Sequence, residues 1–539
     1  MADGRIDARW GAPSRRAFLK GAAAALAAGV LISATGCSGA RREEDEAGKR
    51  IFHWGQARPD AVLDAQRSSD PAVACVVGAV CEGLYALDGD MKLSCALAAE
   101  DPAWSDDGLT LTVKLKEGVA FHNGDPFTSD DVVHTFTRMF KPETCGVNTG
   151  LFECIEGASA VMDGSADELA GVVAVDDHTV EFHLRSRFAQ FAYCLATPYA
   201  CIYPREACED AGSDWGTGAV LVGTGPYEMV SADGAKVVLE ANDSWHAGEP
   251  AFDGVEVSYF DDPSAKLDAF GSGALDACDV PASLLSRVEQ DEGLAPRLAF
   301  YDAMGVCYVV LNLGDEALAD KRVRRALSLS LDRTALVDSA VPGAGEPCAC
   351  LLAPGIPGSR GDDASPLPFD LARAKSLMEE AGVESLSLSV LASGGFSADV
   401  MGAVAKMWEE LGVRARVLQV DADAFADDRA AGEVQCYLQT WFPLYPDGED
   451  VLSPFYSSES KARSSSYVSD EFDDLVGRAR RTLGADARAK LYRQADDLLV
   501  REDFACIPLF WPARAYLAAE GVALSAAGNV YRIGAAGAV

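Results

Sequence analysis

The sequence predicts an α/β protein of two or three domains, and three observations carry that prediction. The chain has 539 residues, more than one ordinary hydrophobic core accommodates. Hydrophobic residues make up 49% and neither Gly nor Pro is extreme, so the bulk is built to fold. In the last third, "LSLSVLA" (386–392), a helical stretch over about 398–411 and "ARVLQVD" (415–421) form a strand–helix–strand unit, which implies parallel sheet.

The elements follow in chain order. "SRRAFLK" (14–20) places paired arginines before the mild apolar run "GAAAALAAGVLISATG" (21–36), which at 16 residues is short for a membrane span. Residues 1–36 therefore predict a twin-arginine-type signal peptide. "ATGC" then resembles a lipobox that makes Cys37 the lipidated N-terminus, although Ala34 stands where such sites carry Leu. The alternative is ordinary cleavage with Cys37 retained. Residues 37–50 are a charged linker, and ordered structure is expected from Ile51. "LTLTVKLK" (109–116) and "HTVEFHLR" (178–185) alternate apolar and polar residues, the period of a half-buried strand. Asn123-Gly124 signals a tight turn. Ser129 is the expected cap of a helix whose apolar face is Val132, Val133, Phe136, Met139 and Phe140. Asp320 opens a helix carrying Ala326, Leu327 and Leu331, and Asp370 opens another that Gly382 closes.

Asp plus Glu outnumber Lys plus Arg, 83 to 46, for a formal charge of −37. That excludes nucleic acid as a partner, because phosphate binding needs cationic side chains. It also excludes docking on anionic lipid headgroups. The surplus either keeps the surface solvated or concentrates cationic ligands. The six histidines, His53, His122, His134, His178, His183 and His246, include no pair at helical i, i+4 spacing. With no GxSxG, HExxH or phosphate-binding loop, neither a metal site, a cofactor nor an enzyme is predicted. Fifteen cysteines, fourteen without Cys37, suggest several disulfides outside the cytoplasm, or else small buried hydrophobes. Cys348 and Cys350 form a lone CxC without the second pair a structural zinc site needs.

Several ordered stretches resemble one family. "CEGLYALDGDMKL…LTVKLKEGVAFHNGDPFTSDDVVHTFTRM", "VGTGPYEMV", "FGSGALDA", "VLNLGD" with "DKRVRRALSLSLDR", "DLARAKSLMEEAG", "WFPLYPD" and "FACIPLFW" follow the order of the family 5 extracellular solute-binding proteins. The resemblance covers about 51–515. It implies a two-lobed periplasmic-binding-protein-like fold of class II type, with an inserted domain and a hinge between lobes. Lobe one would comprise 51–90, 216–310 and 512–539, the insert 91–215, and lobe two 311–511. The implied role is the extracytoplasmic subunit of an ABC importer, a monomer held outside the cytoplasmic membrane by its lipid alone. It would capture a peptide or similar small organic solute and dock on the permease, which works with the ATPase subunits. Alternatives on the same fold are a surface sensor or a binder of metal chelates or haem.

The stretch "LQTWFPLYPDGED" (438–450) reads as an ordered loop that exposes rings and charges together. By resemblance it lines the cleft. Peptide-binding members carry an aspartate three residues after the Trp to pair with the ligand's ammonium; here that position is Leu444. Asp447 is the expected substitute, or Glu449 or Asp450, with Trp441, Phe442 and Tyr445 stacking on the ligand. Glu82 occupies a cleft-edge position of the family. The glycines of "GTGPY" (223–227) are read as structural. A disulfide Cys307–Cys436 is the pairing the resemblance suggests.

Overall fold

The computed structural model describes residues 48–538, apart from 60, 89–90, 145, 361–366, 433, 461–462 and 528–529. The expected signal peptide, lipidated Cys37 and nearly all of the linker lie outside the described residues. The elements that build the site are, in chain order, β1 (Ile51–Ala57), α1 (Pro71–Val80), β2 (Thr110–Lys114), α2 (Ser129–Phe140), β3 (Val172–Asp176), β4 (Thr179–His183), β5 (Tyr227–Ala232), β6 (Lys236–Ala241), β7 (Gly254–Phe260), β8 (Ala277–Val280), β9 (Leu298–Asp302), β10 (Val306–Leu311), α3 (Lys321–Leu329), α4 (Leu371–Glu380), β11 (Leu386–Ser393), α5 (Gly394–Glu409), β12 (Val413–Val420), β13 (Cys436–Trp441), α6 (Gly448–Tyr456), α7 (Asp470–Arg480), α8 (Ala485–Asp497) and β14 (Cys506–Ala518).

One hydrogen-bonded path runs β12-β11-β13-β10-β14-β8-β1-β7-β6-β5. β1 lies parallel to β7 and β8, and β11 lies parallel to β12 and β13. The thirteen-residue β14 joins the two halves. Its Cys506–Phe510 stretch pairs with β10, and its Ala513–Ala518 stretch pairs with β9 and β8. The two halves are the two lobes. Besides β14, the chain passes between them at 303–305, where Met304 takes a φ of 52°. Side chains other than Gly seldom adopt that conformation, so the turn is held by its surroundings.

The insert has its own core, from Leu84 to Ile202, built around the sheet of Ala103–Trp104, β2, β4 and β3. Tyr203, Cys208 and Trp215 pack with Phe52, Trp54 and α1. A buried ion pair fastens insert to lobe one: Arg138 Nη2 lies 2.7 Å from Asp64 Oδ2, and Tyr203 donates to Asp64 Oδ1 at 3.1 Å. Ala326, Leu327 and Leu331 are fully buried.

Local signals hold with small shifts. Asp320 and Asp370 cap α3 and α4, and Gly382 follows α4 at φ 73°. The cap of α2 is Thr128 rather than Ser129, because Asp131 three residues on accepts a hydrogen bond from the Thr128 amide. The thirteen described cysteines are free thiols, and all but Cys95 are buried. The Cys307–Cys436 disulfide is not formed. In the β10–β13 register Cys307 faces Thr440 and Cys436 faces Leu311. Four residues separate the two along the strands, roughly 13 Å at strand rise and far beyond the reach of a disulfide. Burial raises both thiols to about 12, so they behave as small apolar side chains.

Candidate functional site

The segment after β13 holds most of the site residues expected from the sequence. Val306 faces Trp441 at the end of the β10–β13 ladder, so Phe442 emerges over the interlobe turn. Gly305 makes room for it: a Cβ there would come within 2.6 Å of the Phe442 ring. Trp441 is half-buried, its Nε1 donating to the Asp450 carbonyl at 2.7 Å and its ring standing edge-on to Phe455 at 5.0 Å. Phe442 is half-buried too, with the Arg514 guanidinium 5.5 Å from its ring centroid.

Beyond Phe442 the structure corrects the sequence reading. The segment is not an exposed display of charges. Tyr445 and Asp447 are both 0% exposed, and Glu449 and Asp450 are buried. Asp447 caps α6: its Oδ1 accepts from the Glu449 amide at 3.1 Å. Its Oδ2 accepts from Arg488 Nε at 3.0 Å and from the Gln190 side-chain amide. Tyr445 donates to Glu449, which also pairs with Arg480 at 3.3 Å. The Leu444 amide donates to Asp450 Oδ2 at 2.6 Å. Each carboxylate of the segment is thus hydrogen-bonded inside the protein, and Tyr445 and Asp447 have no exposed surface. Leu444 packs its side chain on the core of the insert. Burial pushes Asp450 up to about 8; the Leu444 amide opposes this and the neighbouring Glu449 and Asp447 add to it.

The same network joins insert to lobe two. Gln190 and Phe188 belong to the insert, and the Arg480 guanidinium lies 4.3 Å over the Phe188 ring. The Ala189 amide donates to the Arg480 carbonyl at 3.0 Å, and Phe188 meets Tyr445 at 6.5 Å between ring centroids. No local pattern announced these contacts, since Gln190 and Arg488 are distant from the segment in the chain.

Glu82 is half-buried with its carboxylate in use, accepting from Thr224 Oγ1 at 3.0 Å and lying 2.9 Å from His246 Nε2. The turn at 223–227 is structural through close approach. A Cβ on Gly223 would collide with the Val80 carbonyl oxygen, and the Gly225 amide donates to that oxygen at 2.9 Å. Among the described residues, no group of three or more His, Cys, Asp or Glu could hold a metal ion, and no helix is long and apolar enough to cross a membrane.

Comparisons with known proteins agree with this architecture. Curated relatives include the glutathione-binding protein GsiB of Salmonella typhimurium (strain LT2) and of Escherichia coli (strain K12). Each is 26% identical over 456 residues, covering 82% of this chain and 85% of the relative. Among solved structures, the Listeria monocytogenes substrate-binding protein CtaP superposes with a TM-score of 0.79 at 22% identity, covering 91% of this chain and 100% of its own. The unliganded, open murein tripeptide-binding protein MppA gives 0.77 at 22% identity over 91% of this chain and 97% of its own. Helicobacter pylori DppA in complex with the peptide STSA gives 0.75 at 19% identity over 92% and 99%. Residues 92–463 match the family model described as bacterial extracellular solute-binding proteins, family 5, and the chain belongs to that family.

Proposed function

We propose that the protein is the extracytoplasmic substrate-binding subunit of an ABC importer, and that it captures a peptide or similar small organic solute between its lobes. The observation that carries the reading is the single sheet cut into two lobes and rejoined through β14 and the 303–305 turn, with Trp441 and Phe442 beside that junction. A hinge of this form lets two rigid bodies close on a solute and exclude water. The relatives support the class of ligand: one binds glutathione, others a murein tripeptide or a tetrapeptide. Trp441 and Phe442 supply the apolar and aromatic contacts, and Leu444 in place of an acid removes the ammonium partner that peptide binders of the family use. The mature chain begins at a lipidated Cys37, works as a monomer and delivers its solute to the permease directly.

The test is small-angle X-ray scattering of residues 38–539 with and without a mixed pool of di- and tripeptides. The radius of gyration falls when the pool is added if the lobes close on a member of it. An unchanged scattering curve at millimolar pool concentration contradicts capture by closure.

A further inference from the structure

Arg514 stands out in a chain so rich in acid. It lies on β14 opposite Tyr301, immediately after the strand has passed from the second lobe to the first. Its guanidinium is part-buried and touches both lobes: Phe442 of the second on one side, and Tyr301 and Tyr531 of the first on the other. Among the described residues it has no ion pair. Asp279, the acid nearest in influence, is taken by Lys266 at 2.5 Å. The Tyr301 hydroxyl is buried and faces the guanidinium, without a closer hydrogen-bond partner. Its neighbour Tyr531 spends its hydroxyl on the Ala515 carbonyl at 3.0 Å. A partly desolvated guanidinium whose neighbours are hydroxyls rather than a paired carboxylate keeps capacity for an anion. The cation–π contact with Phe442 supports the guanidinium and leaves its fork of N–H donors without a carboxylate partner among the described residues.

We propose that Arg514, with the Tyr301 hydroxyl, is the anion anchor of the interlobe site and holds a carboxylate of the solute. The inference rests on the reading of that site as a peptide-type cleft and adds which end of the solute is recognised. The guanidinium fork matches a carboxylate in two parallel hydrogen bonds, and a hydroxyl beside it supplies a third. The carboxylates of the 447–450 segment are all paired or hydrogen-bonded internally, so this part of the site offers a cation and withholds an anion. Recognition then begins at the acidic end of the solute. That inverts the ammonium-first arrangement which Leu444 rules out at the position three residues after Trp441.

Native mass spectrometry of residues 38–539 with two matched tripeptide pools, free acids and their C-terminal amides, tests the proposal. The wild-type chain retains the acids at least about 10-fold better than the amides, the loss expected when a charge-assisted hydrogen-bonded pair is removed. Arg514→Gln brings the two pools to near parity by weakening the acids, and Arg514→Lys keeps a reduced preference for acids. Thermal melts of both variants identify any that fail to fold, in which case Arg514→Lys carries the comparison. Equal retention of acids and amides by the wild type overturns the anchor and leaves peptide capture standing. Retention of neither pool overturns both. An undiminished acid preference in folded Arg514→Gln overturns the assignment to this residue.

Discussion

Arg488→Met lowers the free energy of unfolding by about 3–5 kcal/mol, the cost of stranding a buried carboxylate. Asp447 has no exposed surface and Arg488 only 6%. Their contact is 3.0 Å, and Arg488 also donates to the Thr482 and Leu483 carbonyls at 3.0 and 3.2 Å. Removing the guanidinium leaves Asp447 with neutral partners only, among them the Glu449 amide and Gln190. The effect reaches two domains, because Asp447 both caps α6 and receives Gln190 from the insert. The double variant Asp447→Asn/Arg488→Met recovers part of the loss, since an uncharged acceptor is far cheaper to bury. Urea unfolding followed by tryptophan fluorescence reads both. A loss below about 1 kcal/mol in the single variant, the value of a solvent-exposed pair, would show that the network is open to water.

Asp450→Asn has the opposite sign and depends on pH. The folded protein holds the Asp450 proton up to about 8, chiefly because burial disfavours the charge. The unfolded chain releases it near the ordinary carboxylate value of about 3.9. Between those values the native state binds a proton that the unfolded state does not. Stability from this group is therefore complete below about pH 4 and is lost as pH rises through about 8, by up to ~1.4 kcal/mol per unit. Asn keeps an acceptor for the Leu444 amide and does not titrate. The variant gains on the wild type progressively from pH 5 to pH 8, by several kcal/mol at the upper end. Urea midpoints at pH 5, 6.5 and 8 measure the gain, and the same difference at all three would contradict a buried, protonated Asp450.

These two residues show where sequence reading reached and where it stopped. Alternation and capping are local, so the strands at 109–116 and 386–392 and the caps Asp320 and Asp370 were legible from a few neighbours. The one-residue slip from Ser129 to Thr128 came from two adjacent hydroxyls, and the reciprocal bond to Asp131 decided between them. The fate of Asp447 was not legible. Its partners lie 41 residues later and 257 earlier, and nothing in "WFPLYPDGED" distinguishes a carboxylate held for a ligand from one neutralised by an arginine of α8. Polar residues dense enough to look solvated were instead a buried network, because three cations and amides converge on them from outside the segment. β14, "CIPLFWPARAYLA", is one unbroken strand that pairs with β10 up to Phe510 and with β9 from Ala513, on either side of the expected division at 511/512. The cysteines followed burial rather than compartment: their spacing carried no geometry, and the β10–β13 register separates the pair that the resemblance suggested.

The central claim, that the lobes enclose a peptide-like solute, is tested most directly by weighing what the mature chain holds. Residues 38–539 purified gently from an oxidising host, then measured by native mass spectrometry, are expected to carry one bound mass per chain in the range of small peptides. A mixed population would be spaced by amino-acid residue masses, and added tripeptides would exchange with it. A single bound mass of other chemistry that tripeptides do not displace would contradict the account.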